Sequence, residues 1–226
     1  MDETLRYTRN LGPITAQEQH ILQNARVFVA GCGGLGGYLA EYLARLGVGS
    51  ITLADADRFD ETNLNRQLFS TENNLGCSKA AEAKKQLESI NSSVQVHALE
   101  EFITESNAPA LVAGHDLVLD ALDTPSGKRM LQSVCRNSRI PLIHGAVEGW
   151  FGQVTTVLPG DDSLSRLYPC PNASSSKEGT LSFAPALIAS IQAAEALKLL
   201  LGKPCALRGK VLFADLLANR FDIMPI

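Results

Sequence analysis

The sequence has few cysteines, no long apolar run and no excess of positive charge, and each shortage excludes a class of protein. Its five cysteines are odd in number and include no C-x-x-C pair, which argues against a disulfide framework or a structural zinc site. No stretch reaches the ~20 apolar residues of a membrane span. Residues 1–10 are too polar for a signal peptide. The net charge of −4 argues against nucleic-acid binding. We therefore expect a cytoplasmic protein that binds neither nucleic acid nor membrane.

The rest of the composition is ordinary for a soluble globular protein. Hydrophobic residues make up 45% of the 226 residues and charged residues 19%, which is enough apolar material for one sizeable α/β domain. No internal repeat is present. We expect a single folding unit with a buried core.

Residues 27–57 have the pattern of a nucleotide-binding βαβ unit. A hydrophobic strand is followed by G-x-G-x-x-G at Gly31, Gly33 and Gly36, then by an amphipathic helix and a second strand. Asp55 follows Gly36 at about the twenty-residue offset that places an acid beside a ribose. A glycine-only turn lets phosphate approach the backbone, and the helix N-terminus directs unpaired N–H groups at it.

The whole chain alternates between strand and helix patterns. Helices are predicted at 15–25 (with a Thr15–Glu18 capping box), from the glycines to Gly47, and at 78–90, 108–113, from 125 onward, and at 185–201. Strands are predicted at 27–30, 51–53, 94–98, 116–122, 141–146, 152–158, 210–215 and 220–224. Residues 58–67 are too polar for an element, 160–180 form a long loop, and the start, 5–9, resembles a frayed terminus. The order predicts a Rossmann-like α/β fold: a mostly parallel open sheet covered by helices, with an antiparallel C-terminal extension.

Several charged residues fall near the predicted carboxyl ends of the strands. They are Arg66, Lys79 and Asp123, with Arg9 near the N-terminus. Lys79 lies in the first turn of a helix, where the helix dipole disfavours a cation unless an anion binds there. A dinucleotide does not need so many charges, whereas a triphosphate with a carboxylate-held magnesium does. Since no Walker motif is present, the sequence predicts ATP chemistry outside the P-loop class.

The motifs, in this order, resemble the HesA/MoeB/ThiF family, the bacterial relatives of ubiquitin-activating enzymes. The segments that carry the resemblance are R-Y-T-R, G-C-G-G-L-G-G, D-A-D, N-L-N-R-Q, S-K after a glycine, L-D-A-L-D and the helix S-I-Q-A-A-E-A-L-K. They span nearly the whole chain. The resemblance implies one adenylation domain, 1–226, with a helical lead (1–25), a nucleotide-binding core (26–150) and a C-terminal part (151–226). That part would contain antiparallel strands, a crossover loop and the penultimate helix.

The resemblance also implies an activity. Such enzymes adenylate the C-terminal glycine of a small ubiquitin-like sulfur-carrier protein (ThiS/MoaD-like) with Mg-ATP and release pyrophosphate. The carrier of such an enzyme typically ends in Gly-Gly, and the resemblance implies that the enzyme is a homodimer. The positions expected to bind ATP are Gly31, Gly33, Gly34, Gly36, Asp55, Asp57, Asn63, Arg66, Gln67, Lys79 and Asp123.

Among these positions, the resemblance gives the four glycines to the phosphates and Asp55 to the ribose hydroxyls. Asp123, favoured over Asp120, would hold magnesium. The expected catalytic residues are Arg66, Lys79, Asp123 and Arg9. Arg66 and Lys79 would neutralise phosphate oxygens, and Arg9 matches an arginine that reaches the nucleotide of the partner subunit in such homodimers.

The sequence departs from the family in its cysteines. Relatives commonly hold zinc with two C-x-x-C pairs, whereas Cys170 stands alone here, so we expect no zinc. Many relatives also carry a loop cysteine where this chain has Ser175 or Ser176, and serine is a poor substitute for a thiolate. The histidines show no metal spacing, and His144 is expected to be structural. The hypothesis is therefore adenylation alone, with sulfur transfer left to another protein.

Three alternatives remain open from the sequence. The first is a related adenylating enzyme with a non-protein acceptor, such as a tRNA dehydratase, which the acidic charge disfavours. The second is an NAD-dependent oxidoreductase, which leaves Arg66, Lys79 and Asp123 without a use. The third is a non-catalytic scaffold that binds a carrier protein, which the missing cysteines keep open.

Overall fold

The computed structural model describes residues 3–170 and 179–226, and its centre is a sheet of eight strands. The strands are β1 (Arg26–Ala30), β2 (Ser50–Ala54), β3 (Gln95–Leu99), β4 (Leu117–Asp120), β5 (Leu142–Glu148), β6 (Phe151–Val157), β7 (Lys210–Asp215) and β8 (Arg220–Pro225). The helices are α1 (Glu3–Arg6), α2 (Ala16–Asn24), α3 (Gly34–Leu46), α4 (Lys79–Ile90), α5 (Ala108–Val112), α6 (Pro125–Ser138), α7 (Ser163–Leu167) and α8 (Phe183–Leu200).

The strand order is β3-β2-β1-β4-β5-β6-β7-β8. The first five strands of this order pair in parallel, and β5 to β8 pair antiparallel. One buried cluster joins the sheet to α3, α4 and α8, and a second joins it to α5, α6 and α7, so that helices cover both faces. The predicted Rossmann-like fold with an antiparallel extension is confirmed. The order reverses between β1 and β4, the position where open α/β sheets bind ligands.

Helix boundaries follow the local signals in the sequence. Thr15 and Glu18 form the predicted capping box of α2, the Ser78 hydroxyl accepts from Ala81 N–H at the start of α4, and Thr124 caps α6. Gly47 ends α3 in the left-handed conformation (φ 82°), which glycine adopts without a steric penalty.

Three predictions of local structure are wrong: one strand end and two segments expected to contain no helix. Strand β4 ends at Asp120 instead of 122, because Asp120 Oδ1 accepts from Leu122 N–H (3.0 Å) and turns the chain. The polar stretch 58–67 contains a 3₁₀ turn, Glu61–Asn63, in which Asp60 and Asn63 cap each other. The predicted loop 160–180 contains α7, whose Leu164 packs in the core.

The N-terminal lead is anchored, contrary to the prediction of a frayed terminus. Tyr7 is buried, and its hydroxyl accepts a hydrogen bond from Asn91 Nδ2 at 2.8 Å. Asn91 Nδ2 also donates to the Ala44 carbonyl (2.7 Å), while Arg6 donates to Asn91 Oδ1. One buried amide therefore connects the lead to the last turns of α3 and α4.

Helix α8 is long and apolar enough, by length and composition, to cross a membrane, a test that core helices of soluble proteins also pass. Its polar groups show where it lies. Gln192 Nε2 donates to the carbonyls of Asp120 (3.0 Å) and Ile143, and Glu195 accepts from the Thr156 hydroxyl (2.8 Å). Because these side chains are buried against the sheet, α8 is a core element of this fold.

The Asn91→Ala substitution tests the anchor of the lead. It leaves the Tyr7 hydroxyl and the Ala44 carbonyl without their buried partner, which costs about 1–3 kcal/mol per group. We expect the free energy of unfolding in urea to fall by about 2 kcal/mol or more. Asn24→Ala is the control, because Asn24 is exposed and bonds only within its own helix. Equal effects of the two substitutions would contradict the anchor.

Candidate nucleotide-binding site

A cavity of about 480 Å³ opens at the carboxyl ends of β1, β2, β4 and β5. Strands on both sides of the point where the strand order reverses contribute residues to it, as expected for an open α/β sheet. Every residue predicted to bind nucleotide except Gly36 lines it: Gly31, Gly33, Gly34, Asp55, Asp57, Asn63, Arg66, Gln67, Lys79 and Asp123. The fold thus brings together side chains that are up to 92 positions apart in the sequence, from Gly31 to Asp123.

The glycines of the loop have two different tasks. Gly31 has φ 98°, and a Cβ there would lie 2.9 Å from the Ala121 carbonyl oxygen. A Cβ at Gly36 would lie 1.8 Å from the Gly31 carbonyl oxygen. Gly36 therefore lets α3 press against the loop, which corrects its predicted place among the cavity glycines. A Cβ at Gly33 or Gly34 would meet its neighbours only at ordinary van der Waals distances of 3.5 Å or more, and both residues line the cavity.

Asp55 holds the loop in its conformation. Its Oδ2 accepts from Cys32 N–H at 2.7 Å and its Oδ1 from Asp57 N–H at 2.8 Å. The carboxylate thus links the glycine loop after β1 to the chain after β2. Each carboxylate oxygen retains a lone pair for a ligand, so the predicted ribose contact of Asp55 is compatible with this geometry.

Lys79 is a buried cation of the site. Its side chain is 8% exposed, and Nζ lies 3.0 Å from Asp57 Oδ2, whose side chain is 57% exposed. Its backbone N–H also donates to the Asp57 carbonyl. Lys79 begins α4, so the ammonium and the helix N-terminus present positive charge to the same cavity. An anionic ligand offsets both, which agrees with the predicted phosphate contact.

The segment that contains Asn63, Arg66 and Gln67 forms the wall beside the glycines. A Cβ on Gly34 would lie 3.8 Å from Arg66 Cγ, and one on Gly33 would lie 3.7 Å from Gln67 Nε2. Gln67 is buried, and its Oε1 has no hydrogen-bond partner within the described residues. A buried acceptor without a donor is costly, so a donor from a bound ligand would satisfy it.

Asp123 lies beyond β4 in an exposed turn, three residues past the strand end. Within 3–170 and 179–226 its carboxylate makes no hydrogen bond or ion pair, and it faces the cavity. Those residues contain no group of three metal ligands. A magnesium ion bound with ATP needs only one or two carboxylates, since phosphate oxygens and waters complete its shell. Asp123 fits that requirement.

Asp120 is excluded as a metal ligand by its burial. It is fully buried, and its carboxylate binds Lys128, His144 and Leu122 N–H. Burial alone would raise the pKa of Asp120, but the Lys128 charge and the His144 hydrogen bond lower it below its usual value. His144 is a buried structural residue, as predicted. Burial and the Lys128 charge lower its pKa, so the ring is neutral at neutral pH.

Arg9 is distant from the cavity. Its neighbour Asn10 bonds to the carbonyl of Leu46 (3.5 Å), at the C-terminal end of α3. The glycine loop lies at the other end of that helix, and a rise of 1.5 Å per residue separates the two ends by roughly 18 Å. Arg9 does not line the cavity in this chain.

Sequence reasoning missed several residues of the cavity. They are Leu35, Ala54, Ala56, Asp60, Glu101, Phe102, Ile103, Ala121, Leu122, Lys128, Ala146, Val147, Thr180 and Pro185. Most are apolar or lie in loops without a motif, so no local pattern marks them. Lys128 is the exception, because a lysine one turn into a helix that begins just after Asp123 repeats the pattern that drew attention to Lys79.

The cysteines are spread over the fold. Cys32 is buried beneath the loop, and burial raises the pKa of its thiol, so it packs instead of reacting. Burial likewise raises the pKa of Cys135 to about 12. Cys170 is exposed. The predicted stand-ins for the loop cysteine, Ser175 and Ser176, lie outside the described residues.

Comparison with known proteins places the chain in a family. The family model described as the ThiF family matches residues 7–226, which include every segment that lines the cavity. The chain belongs to the ThiF family.

Two relatives of this ThiF-family chain match it over nearly its whole length. The SAMP-activating enzyme E1 of Haloferax volcanii is 35% identical over 229 residues, which cover 97% of this chain and 84% of that protein. The molybdopterin-synthase adenylyltransferase of Escherichia coli K12 is 32% identical over 231 residues, 99% and 93% of the two chains. The fold matches the crystal structure of E. coli MccB with ATP, with a TM-score of 0.85, 23% identity and coverage of 97% and 70%.

The ThiF-family chain is therefore an adenylyltransferase, as predicted. ATP is the nucleotide of that activity, and the oxidoreductase alternative is set aside.

Substitution of two glycines by alanine separates packing from ligand contact. Gly36→Ala places a methyl carbon 1.8 Å from the Gly31 carbonyl oxygen, which is a severe steric clash. We expect this substitution to destabilise the fold by about 3 kcal/mol or more. The methyl group of Gly34→Ala meets Pro185 at 3.5 Å and Arg66 Cγ at 3.8 Å, which are ordinary contacts, so we expect stability to stay unchanged. Its methyl lies on the cavity surface, and we expect ATP affinity, measured with a fluorescent analogue, to fall about tenfold.

Gly179→Ala is the control for both, because no atom of the described residues lies within 4 Å of its Cβ position. If Gly34→Ala left ATP affinity unchanged, the phosphates would lie elsewhere in the cavity.

Proposed function

We propose that this enzyme adenylates the C-terminal glycine carboxylate of a small ubiquitin-like sulfur-carrier protein and releases pyrophosphate. The observation that carries the proposal is one cavity that combines a glycine loop and a buried cation (Lys79) with two groups that have no partner among the described residues, the Gln67 amide oxygen and the Asp123 carboxylate. The two relatives are named as a SAMP-activating enzyme and a molybdopterin-synthase adenylyltransferase. These names support a carrier protein as the acceptor.

The reaction follows from the charges in the cavity. A carboxylate oxygen of the carrier attacks the α-phosphorus of ATP, and the bond from that phosphorus to the bridging oxygen of pyrophosphate breaks. Negative charge accumulates on pyrophosphate, where Lys79 and Arg66 neutralise it, while the loop N–H groups hold the phosphates in line. Asp123 would hold a magnesium ion bound with ATP, and that ion would supply further charge neutralisation. Asp55 fixes the loop and orients the ribose.

We propose that the enzyme is a homodimer in which Arg9 acts on the partner's nucleotide. Its neighbour Asn10 bonds to Leu46 at the C-terminal end of α3, while the glycine loop lies at the N-terminal end of that helix, which is roughly 18 Å long. The anchored lead that carries it is held by Tyr7 and Asn91, so the arginine is presented from an ordered segment. It therefore acts in trans or not at all.

We further propose that the carrier docks on an apolar surface beside the cavity. Four exposed side chains form this docking surface: Trp150, Phe183, Phe221 and Ile223. The rings of Trp150 and Phe183 lie 5.1 Å apart, and Phe183 begins the helix that includes the cavity residue Pro185. Phe221 and Ile223 pair with Ala214 and Leu212 at the sheet edge, on the face that α8 covers. A carrier there has its tail directed at the cavity.

Adenylation is the extent of the proposed chemistry. The crossover segment carries serines where a thiolate is needed, and Cys170 is the nearest cysteine in sequence. We propose one adenylation domain over residues 1–226, in the cytoplasm, without zinc, and with sulfur transfer performed by another protein.

Exchange of labelled pyrophosphate into ATP tests the activity. We expect exchange that depends on a carrier ending in Gly-Gly, and an Asp123→Ala variant that loses it by about 100-fold or more, because the developing charge is no longer neutralised. Glu88→Ala is the control, an exposed carboxylate on α4. Tight ATP binding without exchange, for every carrier, would indicate a scaffold and contradict the proposal.

The Phe221→Asp substitution tests the docking surface. We expect the KM for the carrier to rise about 30-fold, as for loss of an interface hot spot, while ATP affinity stays constant. Ile21→Asp is the matched control, because Ile21 is also exposed (43%) but lies on α2, at the opposite end of the strands. A carrier KM unaffected by Phe221→Asp would place the carrier elsewhere.

A further inference from the structure

Lys128 is a buried cation of the cavity that the phosphate-binding set leaves unused. Its side chain is 3% exposed, yet it lines the cavity. Nζ lies 3.0 Å from the Gly145 carbonyl oxygen and 3.3 Å from Asp120 Oδ2. An ammonium group has three protons, and the described residues provide acceptors for two of them. The third is available to a ligand in the cavity.

A chain of buried hydrogen bonds holds this ammonium in place. Asp120 Oδ2 also accepts from His144 Nδ1 (2.6 Å), and His144 Nε2 lies 3.1 Å from the Tyr168 hydroxyl. Gln153 Nε2 donates to that hydroxyl at 2.6 Å. The directions are consistent only if Tyr168 donates to Nε2 and the neutral ring donates to Asp120. Asp120 then remains an anion, and its carboxylate oxygen accepts a hydrogen bond from the Lys128 ammonium.

The position of Lys128 along the sheet separates it from the nucleotide. Asp55 follows β2 and the glycine loop follows β1, whereas Lys128 is bonded to β4 and β5, on the other side of β1. Strand spacing of about 4.8 Å puts roughly 10–14 Å between Lys128 and the Asp55 end. The cavity wall next to Lys128 consists of Ala146 and Val147, on the side of the docking surface.

We propose that Lys128 binds the incoming carboxylate of the carrier and aligns one oxygen for attack on the α-phosphate, with Asp120, His144 and Tyr168 as positioning residues. This assignment rests on the proposed adenylation. The carrier enters from the β6–β8 side and meets Lys128 before the phosphates. A cation is needed there because Asp123 and the α-phosphate both repel a carboxylate. Lys128 carries its own buried counter-ion, so its charge balance does not depend on the nucleotide.

Binding of two forms of the carrier tests this role directly. The probes are a Gly-Gly carrier with a free C-terminal carboxylate and the same carrier with a C-terminal amide, each titrated in the presence of a non-hydrolysable ATP analogue. We expect the wild-type enzyme to bind the carboxylate form about tenfold tighter or more, and Lys128→Met to bind both forms equally. ATP affinity should stay within about twofold of wild type.

Controls separate charge recognition from folding. Lys85→Met removes an exposed lysine (75%) of α4 and should leave the preference for the carboxylate unchanged. Since Lys128→Met leaves Asp120 as an unpaired buried charge, Asp120→Asn/Lys128→Met is measured beside it and should show the same loss of preference. Tyr168→Phe removes one hydroxyl of the buried chain. We expect it to weaken the preference about threefold without altering the KM for ATP.

The outcomes are distinguishable. If wild-type enzyme binds no Gly-Gly carrier and catalyses no exchange, the proposed function fails and this assignment fails with it. If wild-type enzyme prefers the carboxylate and both Lys128 variants keep that preference, only the assignment of Lys128 is overturned. If Lys128→Met weakens ATP binding and leaves the preference intact, Lys128 is a nucleotide ligand instead.

Discussion

One close backbone contact determines the geometry of the site, the approach of Gly36 to the carbonyl oxygen of Gly31. A Cβ at Gly36 would lie 1.8 Å from that oxygen, so only glycine permits the contact. Because of it, the first turn of α3 lies directly beyond the end of β1 and its free N–H groups face the cavity. Asp55 fixes the result by accepting hydrogen bonds from Cys32 N–H in the loop and from Asp57 N–H in the segment after β2. Phosphate binding, as proposed, follows from this arrangement.

Charge in the cavity is arranged in two groups on either side of this loop. Lys79 and Arg66 lie with the glycines, and Lys128 lies beyond β4 with its buried partner Asp120. The two lysines differ in how they are balanced: the partner of Lys79 is exposed Asp57, while the partner of Lys128 is fully buried. A ligand easily competes for the first pair, whereas the second keeps its geometry. This difference matches a phosphate site beside a fixed carboxylate site.

The fold was predictable because its elements carry strong local signals. The glycine pattern, the Thr15–Glu18 capping box, Ser78 and Thr124 each mark a helix start that the structure contains. The failures have local causes that the pattern does not contain. Asp120 ends β4 early with its own side chain, and Tyr7 is fixed by Asn91, a residue 84 positions away. Apolar cavity residues such as Ile103 and Val147 have no motif, since any apolar residue of suitable size can line a wall.

The sequence by itself determined the fold class, the family and the set of nucleotide-binding candidates, because each rests on short-range patterns of glycine, caps and hydrophobic period. Only the tertiary structure showed that Asp120 is fully buried whereas Asp123 lines the cavity, a difference that supports the preference for Asp123. It also separated Gly36, a packing residue, from the cavity glycines, and it placed Lys128 in the cavity. These distinctions depend on distances between strands that are not adjacent in sequence, and a single sequence contains no direct record of those distances.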